Sequence, residues 1–190
     1  MFRGKTLSMT VLLVTLLSVS AWSLVTVESA SGLIQYRSPA GGEWLDIRSG
    51  MEIPEGSVVV SGLDGQALLR MGSAELTVEP LSRVVLTEID IRSRSEATSL
   101  SVPYGRIHAQ VRRSQNRGID FRVLTPISTA AVRGTEFDYD GTTLRVLEGD
   151  VAFSNLIGQS HSVREGQRSR TWGHQSIESV EQTMLEEIDF

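Results

Sequence analysis

Thr125-Pro126-Ile127-Ser128-Thr129-Ala130-Ala131-Val132-Arg133-Gly134-Thr135-Glu136-Phe137 is the stretch on which the fold turns. Pro126 has no amide hydrogen and holds the residue before it extended, so it ends the run Asp120-Phe121-Arg122-Val123-Leu124. Ser128 to Val132 is small and β-compatible, the composition of a crowded interior strand. Gly134 supplies a bulge or a close backbone approach that a Cβ would block. Phe137 and Tyr139 then share one face as alternation resumes.

The same period of two extends outward from Leu33 to about Arg170. Ala67, Leu69 and Met71 alternate against Gln66, Leu68 and Arg70, and Ile107, Ala109 and Val111 against His108 and Gln110. Phe121 and Val123 oppose Asp120 and Arg122; Leu144 and Val146 oppose Thr143 and Arg145. Such strands bury one face and wet the other. Turn signals separate them: Glu55-Gly56, Asp64-Gly65, Pro103-Tyr104-Gly105, Asp140-Gly141, Glu148-Gly149 and Gly158-Gln159. The pattern predicts an all-β antiparallel body, and spacing alone leaves sandwich, barrel and solenoid open.

These residues resemble the FecR-like domain. The likeness rests on Thr125-Pro126, the small-residue strand after it, Arg133-Gly134-Thr135 and Phe137. It continues in Val146-Leu147-Glu148-Gly149-Asp150-Val151, then Val163, Gly166 and Gln167. Upstream, Pro80, Ser82, Val84 and Gly105-Arg106 resemble earlier elements of the family. The resemblance implies a twisted, sandwich-like or solenoid-like β domain over residues 33–172. It implies a cell-envelope binding or signalling module that engages a protein, and structural roles for Thr125, Pro126, Arg133, Gly134, Thr135, Phe137, Glu148, Gly149, Gly166 and Gln167. Arg133 has two readings: a fork for a partner's carboxylate, or an internal pair with Glu148 or Glu136. The cost of a buried, unpartnered arginine favours the second.

The ends of the chain differ from this body. Arg3 and Lys5 precede a run without charge from Thr6 to Val27, with the apolar core Val11-Leu12-Leu13-Val14-Thr15-Leu16-Leu17 and small residues at Val19-Ser20-Ala21 and Ala21-Trp22-Ser23. That layout predicts a helical export signal over residues 1–23, cut after Ala21 or Ser23, or retained as an inner-membrane anchor. Either outcome places the body in the periplasm or elsewhere in the envelope. Members of the resembled family carry a cytoplasmic domain that binds a sigma factor, ahead of a membrane helix. Five residues before the uncharged run predict a stand-alone module instead. At the other end, Ile177, Val180, Met184, Leu185 and Ile188 recur at helical spacing among Glu178, Glu181, Glu186, Glu187 and Asp189. This predicts a short acidic amphipathic helix over residues 173–190 that caps an open edge or docks a partner.

Composition narrows the function classes. The net charge of −5 disfavours a phosphate-backbone partner, so no nucleic acid is expected. Absence of cysteine excludes disulfides, thiolate metal sites, a cysteine nucleophile and a lipidated N-terminal cysteine. His108, His161 and His174 lack the close spacing of a helix-borne zinc pair and are expected at the surface. Gly62-Leu63-Asp64-Gly65 is too short for a phosphate loop, and Ser128 and Ser154 lack the glycine frame of a hydrolase nucleophile. No catalytic residue, cofactor or metal ligand is therefore expected. The partners expected are an envelope protein or, as the alternative, a cell-wall glycan. The glycan reading requires Trp44 and Trp172, with Tyr36 and Tyr104, to share one groove.

Overall fold

The computed structural model describes residues 24–92 and 94–172. The export segment (1–23) and the acidic C-terminal helix (173–190) expected from the sequence lie outside the described residues.

The strands shuttle between two facing sheets. β1 (Leu24–Ser31) lies in the first sheet, β2 (Ile34–Arg37) and β3 (Leu45–Asp46) in the second, β4 (Glu52–Pro54) in the first and β5 (Val58–Ser61) in the second. β6 (Gln66–Met71) and β7 (Ala74–Val78) return to the first sheet, β8 (Arg83–Ile91) and β9 (Ser95–Tyr104) to the second, and β10 (Ile107–Val111) to the first. β11 (Gly118–Leu124) and β12 (Ser128–Val132) belong to the second sheet, β13 (Glu136–Tyr139) and β14 (Thr143–Glu148) to the first. β15 (Asp150–Asn155) and β16 (Ser160–Arg164) complete the second sheet, and β17 (Arg168–Arg170) the first.

The first sheet runs β17-β14-β13-β10-β7-β6-β1-β4 and the second β16-β15-β12-β11-β9-β8-β5-β2-β3. Apart from β4 outside β1 and β3 outside β2 at one end, both orders advance with the chain, so most strands lean on near neighbours in sequence. The sandwich and solenoid readings therefore meet: two sheets enclose one core, and the chain progresses along it as a solenoid does.

Two features differ from the sequence reading. The body is not wholly antiparallel, because β11 pairs with β9 in parallel, from Gly118↔Ser95 to Leu124↔Ser101. The chain leaves β9, crosses to the first sheet for β10 and returns, so β11 runs the same way as β9. The β pattern also begins before Leu33. β1 pairs with β4 and β6 and buries Val25 and Val27 completely. In the sequence, residues 24–27 form the end of an uncharged run, because their neighbours carry no charge to mark a wet face.

Inward positions build a continuous core. Phe121 meets Phe137 edge to face (6.4 Å between centroids), and Tyr139 meets Phe153 likewise (5.9 Å). These rings come from β11, β13 and β15, so the motif region stitches the two sheets together.

The sandwich has two unlike rims. At one, successive turns carry exposed Leu33, Leu63, Leu81, Tyr104, Leu156 and Ile157. At the other lie exposed Arg92, Arg94, Arg112, Arg113 and Arg133, with Glu148 and Glu165. Leu24 opens β1 beside Pro54 at the arginine rim, whereas Trp172 follows β17 at the apolar rim.

Candidate functional site: a groove beside the motif strand

The motif residues form two locks between the sheets, one at each rim. At the apolar rim, Pro126 ends β11 and Thr125 organises the turn. The Thr125 Oγ1 accepts the Ser128 amide (3.1 Å) and lies 3.3 Å from the Tyr139 hydroxyl. Ser128 Oγ donates to the Gly141 carbonyl (3.1 Å) and also bonds the Tyr139 hydroxyl. Tyr139 is buried, and burial raises the pKa of its phenol above the ordinary value, against the hydrogen bonds from Ser128 and Thr125. The β11–β12 turn of one sheet is thereby pinned to the β13–β14 turn of the other.

At the arginine rim, Gly134 adopts φ +93° and Gly149 φ +87°. A Cβ on Gly149 would stand 2.9 Å from the Gly134 carbonyl oxygen, so the two turns pack backbone on backbone. Thr135 is buried, and its Oγ1 donates to the Asp150 carbonyl (3.0 Å). Phe137 lies in the core between the locks. Gly166 (φ +76°) turns β16 into β17, with Gln167 Oε1 accepting the Arg164 amide (2.9 Å). Glu148 is exposed opposite Glu136 in the β13–β14 register.

Arg133 departs from the pairing expected of it. It is exposed and makes no ion pair with Glu136, Glu148 or any other described residue. The reason is topological. Gly134 carries the chain from the second sheet to the first, so Arg133 leaves one sheet and Glu136 belongs to the other. Glu136 instead accepts from Gln110 Nε2 (3.2 Å).

Arg133 borders a groove of about 610 Å³ on the outer face of the second sheet, floored by Thr129, Ala131 and Ala152 and edged by Arg113, Arg122, Asp120 and Asp150. The floor is low because β12 and β15 place small side chains at outward positions. Asp120 accepts both arms of Arg122 (3.0 and 2.7 Å), and Asp150 bonds the Ser162 hydroxyl. Arg113 Nε donates to the Gly134 carbonyl (3.2 Å), leaving its charge uncompensated. Arg122 and Asp120 pair with each other, which leaves Arg113 and Arg133 facing Asp150; the remaining single positive charge suits the groove to an acidic group. The signal for it in the sequence is the pair Ala131 and Ala152 at outward register, adjacent across β12 and β15.

The histidines divide. His108 lies on the outer face of the first sheet, with Nδ1 2.9 Å from Asp138 Oδ1 and Nε2 3.7 Å from Glu136 Oε1. His161 is not the surface residue expected. Its ring stands edge-on to Phe153 (5.9 Å), its Nε2 is buried without a partner, and burial lowers its pKa. His174 lies outside the described residues. Among the described residues no three His, Cys, Asp or Glu side chains could hold a metal ion together.

The aromatic platform of the glycan reading does not assemble. Trp44 lies under Arg37 (4.9 Å) beside β3, at one end of the sandwich, and Trp172 under Arg170 (5.7 Å) beside β17, at the other. Tyr36 is buried, and Tyr104 is exposed on the apolar rim.

The family model described as FecR protein matches residues 55–152. Two crystal structures of a candidate anti-sigma factor from Parabacteroides distasonis ATCC 8503, at 2.50 and 1.65 Å resolution, share the fold with TM-scores of 0.52 and 0.51. Each is 11% identical to this chain and covers 64% of it, and the chain spans 59% of the length of either. No curated protein matches.

Proposed function

The chain belongs to the FecR protein family, whose model spans just over half of it, and from that membership we propose that it is a non-catalytic signalling module of the cell envelope. It engages a protein partner through the groove beside Arg133. The observation that carries this reading is the exposed Arg133 guanidinium, without an internal partner, above a floor of small side chains. A side chain or chain end bearing a carboxylate fits there as a bidentate ligand. Strand addition at a sheet edge is the weaker route. Of the four edge strands, β3, β4 and β17 are very short, β4 ends in Pro54, β17 carries Arg168 and Arg170, and the longer β16 ends in Arg164.

Export fits the same reading. A cut after Ala21 or Ser23 leaves β1 whole, since β1 starts at Leu24. Val25 and Val27 are held in the core, so a retained anchor would be confined to residues before Leu24. Arg3 and Lys5 ahead of that segment keep the body outside the cytoplasm.

The test is a photo-crosslinker placed at Ala131 of the full chain in intact cells. One protein should be captured; Arg133→Ala should abolish capture, and Arg133→Lys should restore only part of it. Capture indifferent to Arg133, or retention on isolated cell-wall glycan with no protein recovered, would overturn the proposal.

A further inference from the structure

We infer that the apolar rim is the seat of the chain's own C-terminal segment, residues 173–190. The rim is built in sequence order. Leu81, Tyr104, Leu124, Leu156, Ile157 and Trp172 occur on successive turns or strand ends, from β8 across to β17, and each is between 40% and 56% exposed. Such a continuous row differs from the scattered apolar residues of an ordinary surface.

Three facts identify the occupant. The described chain ends at Trp172, the last residue of this row, so the segment starts at the rim. Its apolar residues Ile177, Val180, Met184, Leu185 and Ile188 recur at the spacing of one helical face, which is the shape of ligand such a row accepts. The lengths agree as well. As an α-helix, residues 173–190 would measure about 27 Å. Trp172 follows β17 on the first sheet; on the facing sheet the rim from β16 through β15, β12, β11 and β9 to β8 crosses five strand spacings, roughly 24 Å, and the step of about 10 Å between the sheets makes the diagonal roughly 26 Å. The helix would therefore reach Leu81 and leave Leu33 and Leu63 uncovered.

Charge is compatible with this placement. Acidic groups on the rim already accept hydrogen bonds: Asp140 Oδ1 from the Thr142 and Thr143 amides, Asp64 Oδ1 from the Leu33 amide and Glu79 Oε2 from Gln66 Nε2. Arg106 is exposed on the same rim, within reach of the acidic face of the segment. A lipid surface suits the row less well, because the rim carrying the N-terminal segment is the opposite one.

The natural chain lacks cysteine, so single thiols report cleanly. Leu156→Cys, Leu81→Cys and, as a control away from this rim, Leu45→Cys are made in the full-length protein. Each is compared with a version carrying Ile177→Glu, Val180→Glu and Leu185→Glu. Thiol labelling at 156 and 81 should accelerate roughly tenfold in the tail variant, as expected when a local dock opens, with no change at 45. Equal rates with both tails would overturn the inference. So would protection that appears only at high protein concentration or only with phosphatidylcholine vesicles, since a second copy or a bilayer would then be the occupant. Unchanged circular dichroism and thermal midpoint of the tail variant establish that the body stays folded.

Discussion

Individual side chains decide how firmly the two sheets are joined. The lock at the apolar rim depends on hydroxyl groups with several partners each, so removing one orphans others. Thr125→Val should destabilise by about 1–3 kcal/mol, and Tyr139→Phe by about 1 kcal/mol, read from urea unfolding. At the arginine rim, Gly149→Ala forces a Cβ toward the Gly134 carbonyl at a left-handed φ and should cost about 1–3 kcal/mol. Buried Glu96 and half-buried His161 shape the response to acid. Burial of Glu96 raises its pKa, but the Ser73 amide and the Arg117 guanidinium outweigh that, so the carboxyl titrates below its ordinary value. Its contribution is whole above about pH 4.5 and is lost as pH falls through the lowered value. His161 is also depressed, by burial. Its neutral form supports the fold above about pH 6.5, and that support declines as pH falls below this ordinary value, where the unfolded chain takes up the proton first. Thermal midpoints of His161→Phe should therefore fall less between pH 7 and pH 5 than those of the parent, while Glu96→Gln should flatten the profile near pH 4.

Strands carry what no single residue does. The groove exists because β12 and β15 both present alanine outward, and Ala131 faces Ala152 across the pair. Ala152→Trp would fill it without entering the core, leaving position 131 free for the crosslinker. Stability should change by less than about 0.5 kcal/mol, whereas partner capture should be lost, a split measured by unfolding and crosslinking on the same sample. The sequence made the strands legible because one face of each is apolar: β6, β10, β11 and β14 lie where their alternation puts them. It made the breaks legible too, through Pro126 and Gly134. Pairing direction was not legible, since β9 and β11 look alike whether neighbours run parallel or antiparallel. Arg133 was misjudged for a related reason. Proximity to Glu136 in sequence says nothing about which sheet each residue joins, and a glycine turn between them separates the pair. β1 hid inside an uncharged run, where alternation has no polar partner to reveal it.

At the scale of the molecule, both sheets grow in step with the chain, so stability should be graded along the long axis. Native-state hydrogen exchange should find the slowest amides in β7, β9, β10 and β12, flanked on both sides, and the fastest in β3, β4, β16 and β17. The two ends of the described chain sit at opposite rims and opposite ends of this stack, and they are not equally secured. Leu24 belongs to a strand clasped by β4 and β6, while Trp172 follows a three-residue strand whose one ladder partner among the described residues is β14. A tension applied between these ends would load the first as a shear across two seams and the second across one short seam. The molecule would yield at its C-terminal strand while the groove and both locks remained intact, giving it the mechanical character of a rigid plug with one release point.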